Sequence, residues 1–148
     1  MTLKERLRED LTHAMRQKDA VRKRTLRMAL TEIKLLEVDK GEELNDAEVD
    51  AVLQKEAKKR REMLDELTRV DRPDLEAAEQ AELAVLVEYL PKQFGRDEIA
   101  ELARQVIAEV GAEGPGQMGQ VMRVLMPRVK GQADGKLVGQ VVRELLSG

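Results

Sequence analysis

Side chains able to do covalent chemistry are almost missing from this chain. It has no cysteine, one histidine (His13) and one serine, Ser147, beside the final glycine. Forming or cleaving an amide needs an activated nucleophile oriented by a base. Neither a Cys–His pair nor a Ser–Lys arrangement can be built here. A lone histidine gives no metal pair, so His13 reads as a surface or partly buried polar residue. No catalytic residue, cofactor or metal is expected. The loop Gly131-Gln132-Ala133-Asp134-Gly135-Lys136-Leu137 superficially resembles a phosphate loop. It has three residues between its glycines instead of four, Leu137 where a hydroxyl would hold magnesium, and no strand before it. It is not a nucleotide site. What remains is positive charge: Arg123, Arg128, Lys130, Lys136 and Arg143. Guanidinium and ammonium groups beside a helix start suit phosphate oxygens. A carboxylate at Asp134 would repel a phosphate unless it is tied up as the helix cap.

Two similar segments carry those cations. Met118–Met126 and Val138–Leu146 both read x-G-Q-V-x-R-x-L-x, twenty residues apart. In the first, Met118, Val121, Met122 and Leu125 recur at helical spacing; in the second, Leu137, Val138, Val141, Val142, Leu145 and Leu146 do. Arg123 and Arg143 fall on the polar faces, while Arg128, Lys130 and Lys136 crowd the turn between the two helices. Gly119 and Gly139 should each cost roughly 1 kcal/mol against Ala inside a helix. Their matched positions predict a close crossing of the two helices. Pro127 should kink or end the first of them, and Asp134 should cap the second.

Upstream, Thr2-Leu3-Lys4-Glu5 is a capping box. It opens a helix with Leu3, Leu7, Leu11 and Met15 on one face, stopping near Lys18. Asp19 caps a second helix, with Leu26, Ala29, Leu30, Ile33 and Leu36 inward, stopped by Gly41. Asn45-Asp46-Ala47-Glu48 opens a third, which stops near Val70. Pro73 opens a fourth, reaching Leu90 before Pro91. Pro91–Arg96 (PKQFGR) reads as a hinge. Beyond it Ile99, Leu102, Ala103, Val106, Ile107 and Val110 make another stripe, ending at Gly111. The expectation is an all-α protein: a four-helix N-terminal domain over residues 1–90, a hinge at 91–96, and a three-helix C-terminal domain over 97–148.

Composition agrees with helices. Charged residues make 37% and hydrophobic residues 42% of 148, with one Tyr, one Phe and no Trp. No apolar run approaches a membrane span and the N-terminus is charged from Lys4, so a soluble cytoplasmic protein is expected, with no membrane partner. The net charge of −3 is small but unevenly spread. Residues 4–34 hold ten basic and five acidic side chains; from Pro91 on there are eight basic against seven acidic, a net of +1. Lys55, Lys58, Lys59, Arg60 and Arg61, interleaved with Glu56 and Glu62, read as a solvated helix face. Met28, Met63, Met118, Met122 and Met126 read as core filler. With so few aromatics there is no stacking platform for single-stranded RNA, so any RNA would be held by shape and phosphates.

The segment GQVMRVLMPRVKGQADGKLVGQVVRELL resembles the C-terminal signature of the GatB/YqeY domain family. AELAVLVEYLPKQF, TLRMALTEIKLLEVDKG and VLQKEAKKRRE fit the same family in the same order. Nearly the whole chain is covered, as in the free-standing members. The family implies an all-α N-terminal part and a small three-helix C-terminal part. Its relative, the tail domain of the B-type subunit of aspartyl/glutamyl-tRNA amidotransferase, helps hold tRNA. A glutamine-dependent carbon–nitrogen ligase label therefore belongs to the full amidotransferase, and autonomous ligase activity is not expected from these residues. Two readings follow. In one, the chain is a tRNA-binding module using Arg123, Arg128, Lys130, Lys136 and Arg143, with Arg22, Lys23, Arg24 and Arg27 as the competing site. In the other it is a helical adaptor that docks proteins and binds no RNA.

Overall fold

Local caps set the helix boundaries. A computed structural model describes residues 1–148. At the first helix the Thr2 hydroxyl accepts from the Glu5 N–H and the Glu5 carboxylate accepts from the Thr2 N–H, both at 3.1 Å. The same exchange joins Asn45 and Glu48 at the third. Asp19 accepts from the Arg22 N–H at 3.1 Å, and Pro73 occupies a first-turn position that needs no N–H. Gly41 ends the second helix at φ +82°, where its N–H donates to the Glu37 carbonyl.

The result is all-helical. The chain forms two compact units, Met1–Leu90 and Pro91–Gly148. The first contains α1 (Leu3–Arg16), α2 (Ala20–Lys40), α3 (Asp46–Val70) and α4 (Pro73–Val87). Leu7, Leu26, Ile33, Val49, Leu53 and Leu86 are fully buried at its centre. The second contains α5 (Arg96–Val110), a 3-10 turn (Pro115–Gln117), α6 (Met118–Val129) and α7 (Gly135–Ser147). Its core joins Ile99 and Val106 of α5, Val121 and Leu125 of α6, and Val138 and Val142 of α7, all fully buried.

Several details differ from expectation. Periodicity places Met15 and Leu36 on inward faces, yet they are 49% and 38% exposed. Both lie near helix ends, where the apolar stripe outruns the neighbouring helices that would cover it. Met28 and Met63 are likewise exposed, whereas Met118, Met122 and Met126 do pack on the second core. The fourth helix ends at Val87 and not Leu90; the Tyr89 and Leu90 N–H groups close turns onto Leu86 and Val87 at 3.1 Å. Pro127 does not end α6, which runs on to Val129. The proline lies in the last turn, so it costs a single intrahelical bond, to the Arg123 carbonyl.

The expected close crossing at Gly119 and Gly139 is wrong. A Cβ built on Gly119 would meet nothing within 4 Å, and one on Gly139 only the flexible tip of Met118, at 3.7 Å. Gly119 is exposed on the first turn of α6. The helices meet through Val, Leu and Met side chains, so the echo records a repeated apolar stripe, not a backbone approach.

Candidate nucleic-acid interface

The α6–α7 turn is fixed by polar contacts from residues 92–94. The Phe94 N–H donates to the Gln132 carbonyl at 2.7 Å, and Gln93 Nε2 to the Gly131 carbonyl at 2.9 Å. Gln132 Nε2 returns a bond to the Lys92 carbonyl at 3.2 Å. Phe94 also packs on the second core. Asp134 caps α7 by accepting from the Lys136 N–H at 3.3 Å. Its carboxylate is thereby engaged as the helix cap.

The five expected cations are all exposed, but they are not equivalent. Arg128, in the last turn of α6, is neutralised. Its Nη1 and Nη2 donate to the two carboxylate oxygens of Glu109 on α5, at 3.0 and 2.7 Å. The guanidinium hydrogen bond holds the Glu109 carboxyl below the usual carboxylate range, against a smaller desolvation effect. Lys130 is the residue at which α6 stops, and Lys136 lies in the first turn of α7. Lys136 and Arg143 are seven residues apart, within about 20° of one another around α7 and roughly 10 Å along it. Arg123 and Arg128, five apart, differ by about 140° around α6. The structure therefore puts Lys136 and Arg143 on one face and separates Arg123 from Arg128. Arg123, Lys130 and Arg143 make no ion pair.

The competing run in the first unit is divided in the same way. Arg22 bonds Glu88 at 2.7 Å and lies 3.5 Å from Asp19; Arg24 bonds Glu82 at 2.9 Å. Lys23 and Arg27 make no ion pair. The α3 run is not a solvated face throughout, because Arg60 is buried. Its Nη1 meets Glu56 at 3.1 Å, its Nε lies 3.4 Å from Glu82, and its Nη2 reaches the Met28 sulfur at 3.6 Å. Lys59 joins Glu56 at 3.3 Å. No local pattern signals the pairs made with Glu82 and Glu109, which lie far along the chain from the arginines they hold. His13 is exposed, and no group of three or more His, Asp or Glu side chains is placed to hold a metal ion. No helix is long and apolar enough to cross a membrane.

Comparison with known proteins adds two findings. A family model described as Yqey-like protein matches residues 4–146. A stretch of 70 residues is 39% identical to part of the E-type subunit of the glutamyl-tRNA(Gln) amidotransferase of Thermococcus sibiricus. That stretch is 47% of this chain but only 10% of the amidotransferase polypeptide.

Proposed function

The chain belongs to the YqeY-like protein family, and we propose that it is a non-catalytic tRNA-binding module related to the tRNA-dependent amidotransferase. The observation that carries this reading is the 39% identity to one polypeptide of an enzyme named for a tRNA substrate. The exposed cations on α6 and α7 support it. Arg123, Lys130 and Arg143 are available to phosphates, Lys136 adds charge beside the α7 N-terminus, and Asp134 is engaged as the cap. Arg128 joins them only by leaving Glu109. The ligase chemistry of the larger assembly is not supplied by this chain, which has neither Cys nor a base-paired Ser. Because the matched stretch is a small part of the amidotransferase polypeptide, the whole enzyme's activity does not transfer with it.

The experiment is a salt titration of an unmodified tRNA transcript against the full chain. Three phosphate contacts imply a loss of affinity of about 40-fold between 50 and 200 mM salt. Salt-insensitive binding would rule out phosphate-led recognition.

One observation favours the second reading, a helical protein-docking module. A groove of about 620 Å³ near the end of α2 and the start of α3 has an apolar floor of Leu36, Leu44, Ala51 and Val52, rimmed by Asp39, Lys40, Glu48 and Lys55. Leu35 and Val38, beside it in sequence, are exposed. An apolar partner seated there would hold its affinity as salt rises, in contrast to tRNA.

A further inference from the structure

The first unit carries a line of cations that its own acids leave unneutralised. Lys23, Arg27 and Lys34 on α2, with Thr31 among them, lie at i, i+4, i+11 and i+8. That spacing confines them to a sector of about 80° over roughly 16 Å of helix. Arg27 and Thr31 form the wall shared by two shallow grooves. One, of about 480 Å³, faces α1 and includes Arg8 and Lys34. The other, of about 520 Å³, faces α3 and includes Lys23 and Lys59.

Pairing within the unit decides which charges remain. Arg22 and Arg24, beside Lys23 in sequence, are taken by Glu88 and Glu82. Of the acids lining the grooves, Glu37 is held by Lys4 at 2.7 Å and the Leu44 N–H at 2.9 Å. Glu56 is held by Arg60 and Lys59, which leaves Glu32 as the one unengaged acid. Lys23, Arg27 and Lys34 make no hydrogen bond or ion pair through their side chains. Arg8 makes none either, although its charge reaches Glu37.

We propose that the Lys23–Arg27–Thr31–Lys34 line, with Arg8 across the groove, is a second RNA-contacting surface that holds backbone phosphates of a folded RNA. It rests on the tRNA-binding reading and adds to the α6–α7 cations a surface of its own. Neighbours at i and i+4 lie about 6 Å apart, so the line offers a row of charges to a repeating polyanion. The Thr31 hydroxyl supplies a neutral phosphate donor. No aromatic side chain lines either groove, so recognition is by shape and charge, without base stacking.

The test compares two variants of the full chain against an unmodified tRNA transcript over about 50–200 mM salt. The first carries Arg8→Gln, Lys23→Gln, Arg27→Gln and Lys34→Gln; the second carries Arg123→Gln, Lys130→Gln and Arg143→Gln. Glutamine keeps helix propensity, and thermal melting by circular dichroism checks that each variant folds. The slope of log affinity against log salt should fall by about three in the first variant. A fall there with none in the second upholds this surface and sinks the α6–α7 assignment. A fall only in the second overturns this surface and leaves that assignment standing. Falls in both uphold both, and no binding of the transcript by the unaltered chain at the lowest salt overturns both. Polyglutamate that binds as tightly as the transcript, and is lost in the first variant, would overturn RNA as the ligand in favour of an acidic protein.

Discussion

Glu109 of α5 and Arg128 of α6 meet in a two-pronged ion pair, at 3.0 and 2.7 Å, on the surface of the second unit. The pair occupies one of the five cations proposed to face RNA. Glu109→Gln should release it and remove a negative charge from its neighbourhood. The expected outcome is tighter tRNA binding at low salt and a salt slope steeper by up to about one contact. Unchanged affinity and slope would show that Arg128 lies outside the RNA footprint.

Gly139 lies inside α7 with room for a methyl group, 3.7 Å from the Met118 tip. Gly139→Ala should therefore raise stability by about 0.5–1 kcal/mol through helix propensity and reduced freedom of the unfolded chain. Gly119→Ala, in the first turn of α6, should do the same more weakly. A lower melting temperature in both would restore the close-crossing interpretation.

These glycines also mark the limit of what the sequence discloses. The helix starts are legible because Thr2–Glu5, Asp19 and Asn45–Glu48 satisfy donors within three residues, a distance that sequence displays directly. The apolar stripes disclose most of both cores for the same reason. Met15, Leu36 and the two glycines mislead because periodicity says which residues share a face, not where the partner helix ends. For the candidate site, the identities of the cations are readable and their partnerships are not. Arg24 and Glu82 lie 58 residues apart, and Arg128 and Glu109 lie 19 apart. Nothing local announces that Arg60 is buried.

Arg60 makes the strongest stability prediction. Its side chain is 8% exposed, and those of Glu56 and Glu82 are 9% and 12% exposed. Its Nε is buried without a well-directed hydrogen bond, so the cluster is already incompletely satisfied. Arg60→Ala removes the cation shared by Glu56 and Glu82, which keep Lys59 and Arg24. It should cost about 1.5–3 kcal/mol in urea unfolding through lost charge-assisted hydrogen bonds and packing. A loss below about 1 kcal/mol would mean that water or rearrangement compensates the acids.

Lys4 and Glu37 give the fold a pH dependence. The hydrogen bond from Lys4, then that from the Leu44 N–H, holds the Glu37 carboxyl below its ordinary 4.5. Its contribution to stability is thus present above 4.5 and fades as pH falls through the depressed folded value. Lys4 is raised above its ordinary 10.5, chiefly by its bond to Glu37. Its contribution is present below 10.5 and fades as pH climbs through the raised folded value. Urea midpoints of the wild type and Glu37→Gln should differ most between these limits and converge beyond them, from about pH 3 to 11. A pH-independent difference would assign the effect of Glu37 to packing.

Phosphate holding by the exposed cations on α6 and α7 is the proposal to test. Its most direct measurement is the salt slope of tRNA binding for the full chain with Arg123→Gln, Lys130→Gln and Arg143→Gln, set against the unaltered chain. The slope should fall by about two to three contacts, and affinity at low salt should drop with it, in a variant whose melting temperature is unchanged. An identical slope in a folded variant would contradict it.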